Sequence, residues 1–271
     1  MGSKKFWNIL RWIVFIYVAI GMAIYFFSDR ILFRPQALKQ DYAFTFSQQH
    51  SEHWLYTAGA KIHYLKFYPK GDSKGIVLYF HGNHKNVLHY VNRVTLFTDA
   101  GYELWMPDYP RFGKSTGALN EETLYDLAEG LYRQALMQHP AEHIVIYGRS
   151  IGSGVAAYLA SIRSCHALVL ETPYYSIASL SRRYFPIYPP IIPQKFSLPV
   201  HAYLETVQAP VTLLHGTRDG VVPASESKKL KAAHPGINLV LIEGGTHNDL
   251  NSYPLFQQTI QRILVQDKVN Q

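Results

Sequence analysis

A strand, a sharp turn and a helix are written around one serine. Gly148-Arg149-Ser150-Ile151-Gly152 follows the apolar run Ile144-Val145-Ile146-Tyr147 and opens into the small-residue segment Ser153-Gly154-Val155-Ala156-Ala157. A residue at the tip of such an elbow must hold a strained backbone, and the positions two before and two after it must be small so that neighbouring backbones can close in. Gly148 and Gly152 meet that demand, and Gly154 lets the helix lie close on the sheet. The Gly-x-Ser-x-Gly frame alone recurs by chance, because glycine and serine are common. Its position between an apolar strand and a small-residue helix is what gives it meaning.

The rest of the chain alternates in the same way. His53 to Ala58 and Lys61 to Tyr68, rich in Tyr, Ile and Trp and divided at Gly59, read as an edge hairpin. Ile76 to Phe80, Glu103 to Met106, Ala167 to Leu170, Val211 to His215 and Asn238 to Ile242 read as short strands. Val87 to Ala100, the segment after Asn120, Ser225 to His234 and Tyr253 to Val265 read as helices. Asn120 is a good cap, Glu121 and Glu122 complement the helix N-terminus, and Leu124, Leu127, Ala128 and Leu131 recur at helical spacing. Such alternation implies an α/β fold with a mainly parallel sheet covered on both faces, and in such sheets reactive groups collect at the strands' carboxyl ends. Tyr174 to Glu205, rich in Pro and Tyr, breaks the alternation. It is too long and apolar for a plain loop and reads as a cap, with Tyr174, Tyr184, Phe185 and Tyr188 as candidate substrate contacts; an ordinary packing insertion is the alternative.

A serine hydroxyl is a poor nucleophile at neutral pH. A base must take its proton, and a carboxylate must orient that base. In sheets of this kind the chain order is Ser, then Asp or Glu, then His. Asp219 follows one strand in His215-Gly216-Thr217-Arg218-Asp219-Gly220, and His247 follows the next in Gly244-Gly245-Thr246-His247-Asn248-Asp249. An Asp in a Gly-rich loop is more often a turn former, and a loop His more often solvated. Three matches in the right order after the right strands nominate Ser150, Asp219 and His247 together. Asp249 is too near His247 in sequence to reach the far ring nitrogen easily. The oxyanion of an acyl-transfer step needs backbone N–H donors, here Ile151 and, from the loop after Ile76 to Phe80, Asn83. His81, His84 and His89 suggest a metal, but no carboxylate is spaced to complete a site, so no metal is expected. Cys165, the single cysteine, reads as a bland buried thiol and excludes an intramolecular disulfide.

The amino terminus adds a tether. Phe6 to Phe27 is interrupted only by Asn8 and Arg11, and roughly 20 apolar residues cross a bilayer core. A cleavable signal peptide fits less well, since no small-x-small pattern follows Phe27. Lys4, Lys5 and Arg11 before the span, against Arg30, Arg34 and Lys39 with Asp29 and Asp41 after it, favour a single-pass protein with a cytoplasmic N-terminus and the catalytic part on the opposite side. The formal net charge of +7 is scattered, with no Lys/Arg run longer than two, which argues against nucleic acid and suits an anionic membrane surface. The expected organisation is an anchor over 1–28, a polar connector over 29–52 and one catalytic domain over 53–271, with the cap insertion at 174–205.

His81-Gly82-Asn83, Asp108-Tyr109 with Phe112-Gly113-Lys114-Ser115-Thr116-Gly117, the Ser150 elbow, His215-Gly216-Thr217-Arg218-Asp219 with Val222-Pro223, and Gly245-Thr246-His247-Asn248 together resemble the α/β-hydrolase superfamily. More narrowly, they resemble its membrane-anchored serine hydrolases, catalogued beside prolyl-oligopeptidase-type peptidases and related to protein depalmitoylases. The resemblance implies a hydrolase sheet of about eight strands, no cofactor, and Ser150, Asp219 and His247 as the triad. Two loops depart from it: Pro110-Arg111 stands where Arg-Gly is usual, and His84-Lys85 where small residues are usual. The expected activity is cleavage of esters or thioesters of a small-molecule or acylated substrate. Peptide hydrolysis, or a non-catalytic binding protein retaining the fold, are the alternatives. Oligomeric state has no signal.

Overall fold

The computed structural model describes residues 2–188 and 195–265; the middle of the expected cap, 189–194, and the last six residues of the expected domain lie outside them. Helix α1 (Gly2–Phe26) leads into α2 (Ser28–Leu32). Strands β1 (His50–Tyr56) and β2 (Ala60–Phe67) form an antiparallel hairpin, registered from His50 opposite Phe67 to Tyr56 opposite Lys61. Then come β3 (Gly75–Phe80), α3 (Val94–Thr98), β4 (Tyr102–Pro107), α4 (Glu121–Leu136), β5 (Ile144–Arg149), α5 (Gly152–Ile162) and β6 (Ala167–Glu171). The chain continues through α6 (Ile177–Tyr184), α7 (Val200–Tyr203), β7 (Val211–Gly216), α8 (Ser225–Ala233), β8 (Asn238–Ile242) and α9 (Pro254–Val265). The eight strands lie in the order β8-β7-β6-β5-β3-β4-β2-β1, with a two-residue ninth strand, Thr116–Gly117, on β2. The pairings of β2 with β1 and β4 are antiparallel, and the pairings from β4 to β8 are parallel. This is the α/β-hydrolase fold that the motifs imply.

The central strands read as unbroken apolar runs because both their faces are covered. Along β3, Ile76, Leu78 and Phe80 face the layer of α4 and α5 with Leu127, Leu131, Val155 and Leu159. Val77 and Tyr79 face the opposite layer, with Val94, Phe97, Phe256 and Ile260. Each such side chain, fully buried, contributes about 1.5–3 kcal/mol of transfer free energy. Parallel register then aligns the carboxyl ends. Phe80 lies opposite Gly148, Arg149 opposite Glu171, Glu171 opposite Leu214 and Gly216 opposite Ile242. The loops that follow these strands therefore share one rim.

Two segments differ from expectation. Val87 to Ala100 is not one helix but two 3₁₀ turns, Val87–His89 and Val91–Arg93, before α3. Side chains pin its start: Asp108 Oδ1 accepts the Val87 N–H at 2.8 Å and Asn86 accepts from Leu88, while buried Tyr90 stacks on His81 with centroids 5.0 Å apart. Those fixed points force tighter turns than an α-helix allows. The residues read as a connector are also seated in the domain. Phe33 is 1% exposed and packs against Tyr109, Phe112 and Phe196. Arg34–Pro35 pairs in parallel with His84–Lys85, and Arg111 Nη1 meets Asp29 Oδ2 at 3.1 Å. The two loops that depart from the family pattern are the places where the chain leaving α1 docks. Asn120 caps α4 as expected, accepting from Thr123 N–H at 2.9 Å.

The segment expected to form a cap is tied at both roots. Buried Glu226 on α8 accepts the Tyr175 N–H and the Ser179 hydroxyl, and Glu121 on α4 accepts the N–H groups of Ser197 and Leu198. Helix α1 exposes its apolar side chains almost throughout. Lys4–Phe26, with mean hydropathy 2.1, is long and apolar enough to cross a membrane.

Candidate active site

Ser150 stands between the end of β5 and the start of α5 with φ at +53°, a left-handed conformation that costs a non-glycine residue about 1–3 kcal/mol. Its N–H is held by the Glu171 carbonyl at 2.8 Å on the neighbouring strand, and its carbonyl accepts the Ser153 N–H at 2.9 Å. The small flanks are steric necessities. A Cβ on Gly152 would lie 2.2 Å from the Phe80 carbonyl oxygen, and one on Gly148 would lie 2.6 Å from the Gly152 carbonyl oxygen. The elbow thus presses against the end of β3, as the glycine spacing requires.

The rim brings three side chains into one line. Ser150 Oγ lies 3.1 Å from His247 Nε2, and His247 Nδ1 lies 2.7 Å from Asp219 Oδ2. Only 7%, 9% and 8% of the surface of Ser150, His247 and Asp219 is exposed, so the line runs largely out of water. Asp219 Oδ1 accepts the N–H groups of Val221 and Val222, each at 2.8 Å. Burial pushes the Asp219 carboxyl up, but His215, His247 and the backbone donors outweigh it and hold the group well below the usual carboxylate range. Asp219 therefore stays ionised, and its other oxygen is aimed at the imidazole. Asp249 is used locally, accepting the Thr246 N–H at 2.7 Å.

Sequence reasoning missed the residues that hold this line. His215 is fully buried; its Nδ1 meets Ser227 Oγ at 2.6 Å and its Nε2 meets the Val222 carbonyl at 2.8 Å, with Asp219 Oδ2 3.4 Å away. Behind the elbow, Glu171 is also fully buried and accepts Arg93 Nη1 at 2.8 Å, Arg149 Nε at 3.2 Å and the Tyr147 hydroxyl at 2.6 Å. Arg149 Nη2 goes on to donate to the His247 carbonyl at 2.8 Å and to Asn248 Oδ1 at 2.9 Å. Burial pushes the Glu171 carboxyl up, yet Arg93, Arg149 and Tyr147 prevail and hold it below its usual value. The sequence carries only half of the signal, a carboxylate that ends the apolar run Leu168-Val169-Leu170-Glu171; strand register then sets it opposite Arg149.

Ile151 begins the turn into α5, where the unpaired backbone N–H groups form the positive end of the helix dipole. The Asn83 side chain is used elsewhere, since Nδ2 donates to the Leu32 carbonyl at 2.8 Å. Among the expected substrate contacts, Tyr174 is buried to 1% exposure against Gly154 and donates to the Ile151 carbonyl at 3.2 Å, so it braces the elbow from behind. Tyr184 is half exposed with its hydroxyl on the Val221 carbonyl, Phe185 is half-buried, and Tyr188 packs on Tyr17 of α1. Buried His81 directs Nδ1 to the Gly82 carbonyl at 2.7 Å, while His84 and His89 stand exposed outside it. Cys165 is buried, and burial pushes its thiol up to about 12, far from a reactive thiolate.

Comparison with known proteins agrees with the fold. Residues 75–190 match the family described as alpha/beta hydrolase fold. The human protein ABHD12B is 29% identical over 179 residues, covering 59% of this chain and 49% of that protein. The alpha/beta hydrolase domain-containing protein 17C of Xenopus tropicalis is 26% identical over 208 residues, covering 73% of this chain and 64% of that protein. The chain therefore spans about half to two thirds of the length of these curated relatives. Among solved structures, an esterase of Pyrococcus furiosus superposes with a TM-score of 0.66 over 86% of this chain and 97% of its own; at 19% identity this shows a shared fold.

Proposed function

We propose that this chain, an α/β hydrolase by fold, is a membrane-tethered serine hydrolase that cleaves carboxylic esters or thioesters through an acyl-enzyme on Ser150. The observation that carries the reading is the unbroken line of hydrogen bonds from Ser150 through His247 to the ionised Asp219, set at a strained elbow on the sheet's rim. His247 Nε2 takes the proton as Ser150 Oγ attacks the acyl carbon. Asp219 holds Nδ1–H and steadies the imidazolium that forms. The backbone N–H groups of Ile151 and Asn83 receive the developing oxyanion. His247 then protonates the departing alcohol or thiol, and the same imidazole activates the water that releases the acid. The apolar helix α1 supplies the tether, with the basic Lys4, Lys5 and Arg11 end on the cytoplasmic side.

The test compares p-nitrophenyl acyl esters and acyl thioesters with peptide anilides, using the full chain in detergent. Ester and thioester turnover should exceed anilide turnover, and Ser150→Ala should reduce it by about 10⁴ or more. Faster anilide cleavage would make the protein a peptidase. An absence of turnover on every substrate would leave a binding protein.

A further inference from the structure

The tip of the cap is fastened to the middle of α1. The ring of Tyr188 lies flat on that of Tyr17, with centroids 4.6 Å apart and planes 13° from parallel. The Tyr188 hydroxyl donates to the Tyr17 carbonyl at 3.0 Å, and the Tyr17 hydroxyl donates to the Ile187 carbonyl at 2.9 Å. Where the cap returns, Lys195 Nζ donates to the Phe26 carbonyl at the end of α1 at 2.8 Å. Tyr17 stands nine residues before Phe26 in α1, about 14 Å along the helix axis at 1.5 Å per residue. A helix that crosses a hydrocarbon core of about 30 Å therefore carries the contacts at Tyr17 well inside the leaflet and the contact at Phe26 at its edge.

The tip is composed for that medium. Ile187 is 70% exposed and Tyr184 52%, and Pro186 has no N–H to satisfy. The Tyr188 N–H is held by the Phe185 carbonyl at 3.0 Å, the Phe185 N–H by the Ser181 carbonyl at 2.7 Å, and the Ile187 carbonyl by Tyr17. Hydrocarbon demands such pairing of the main chain. The preceding turn of α6 carries exposed Arg182 and Arg183, cations suited to anionic headgroups. The tip also touches the catalytic rim, since the Tyr184 hydroxyl reaches the Val221 carbonyl, two residues beyond Asp219.

We propose that the cap tip, residues 184–188, is inserted beside α1 into the bilayer leaflet on the domain's side, and that the site takes acyl esters or thioesters directly from that leaflet. The partner surface is a phospholipid bilayer. The inference rests on reading α1 as the anchor and Ser150 as the nucleophile, and it adds where the substrate enters.

Insertion is tested by introducing Ile13→Cys, Ile187→Cys or Met137→Cys into the full chain, whose one native thiol, Cys165, is buried. Each variant is labelled with an environment-sensitive fluorophore and reconstituted in phosphatidylcholine vesicles with a minor share of phosphatidylglycerol, with and without lipids bearing a nitroxide in mid-acyl chain. Met137, 79% exposed at the end of α4, is the reference for the water phase. Quenching at Ile187→Cys should match that at Ile13→Cys and exceed that at Met137→Cys by about twofold or more, as depth in the hydrocarbon requires. Quenching at Ile13→Cys without quenching at Ile187→Cys would overturn the insertion and leave the anchor standing. Quenching at neither would remove the anchor and the insertion together. Entry is tested with Ile187→Asp, which should lower hydrolysis of a vesicle-borne long-chain thioester about tenfold more than that of a water-soluble short-chain ester, because a carboxylate resists the hydrocarbon. An equal effect on the two substrates would overturn entry from the leaflet, and wild type inert to both would instead overturn the hydrolase reading.

Discussion

Glu171→Gln should destabilise the protein far more than its distance from the reacting atoms suggests. The carboxylate is fully buried and receives Arg93, Arg149 and Tyr147. Glutamine keeps the shape but removes the charge, leaving two guanidiniums buried without a counter-ion. Breaking a buried pair in this way costs about 3–5 kcal/mol, and the retained shape places the expected loss near 3. For a domain of this size each kcal/mol moves Tm by about 2–4 °C, so the midpoint should fall by roughly 6–12 °C. The pH dependence has a definite sign. The Glu171 carboxyl is held below its usual value in the folded protein, so its contribution is present above the unfolded value of about 4.3 and disappears as pH falls through the folded value. Acidification below about pH 4.3 should therefore cost wild type more stability than it costs the variant. Adding Arg93→Met to Glu171→Gln removes one of the uncompensated charges, so the double variant should be more stable than the sum of the two single losses by about 1 kcal/mol or more. Thermal and urea unfolding in detergent, followed by tryptophan fluorescence, read all three quantities. A variant within about 0.5 kcal/mol of wild type, or losses that simply add, would refute the reasoning.

Other substitutions follow from the same contacts. Asp219→Asn should lower kcat by about 10⁴ in an ester assay, because its amide hydrogen turns the His247 proton toward Ser150 and removes the base. Gly152→Ala should cost about 1–3 kcal/mol in a thermal melt, since the added Cβ meets the Phe80 carbonyl oxygen at 2.2 Å. Phe33→Ala should cost about 3–5 kcal/mol by the same measure, although Phe33 belongs to a segment that sequence alone reads as a connector; a change below about 1 kcal/mol would mean that the segment is not part of the packed domain.

What the sequence made legible was whatever local sterics dictate. Gly148 and Gly152 announced an elbow because any side chain there strikes a neighbouring backbone, and the apolar runs announced buried parallel strands because both faces must be dry. Asp219 and His247 each follow such a run in a glycine-rich loop, and the structure sets them 2.7 Å apart. The remainder depended on contacts between residues far apart in sequence. His215 and Arg149 acquire their roles from Ser227, Glu171 and the His247 carbonyl, partners set by strand register. Phe33 looked like part of a polar connector until Phe112 and Phe196 closed over it. Val87 to Ala100 kept a helical composition, but Asp108 and Asn86, outside the segment, decided its turns. An aromatic in a cap suggests a substrate contact for Tyr174, whereas the space left by Gly154 draws it into the core.

The most direct measurement is mass spectrometry of the full chain after treatment with a fluorophosphonate, with digestion to locate the adduct. One equivalent on Ser150, lost in Ser150→Ala and strongly slowed in Asp219→Asn, is the predicted result. An unmodified wild-type protein, or a label on a different serine that persists in Ser150→Ala, would contradict the account.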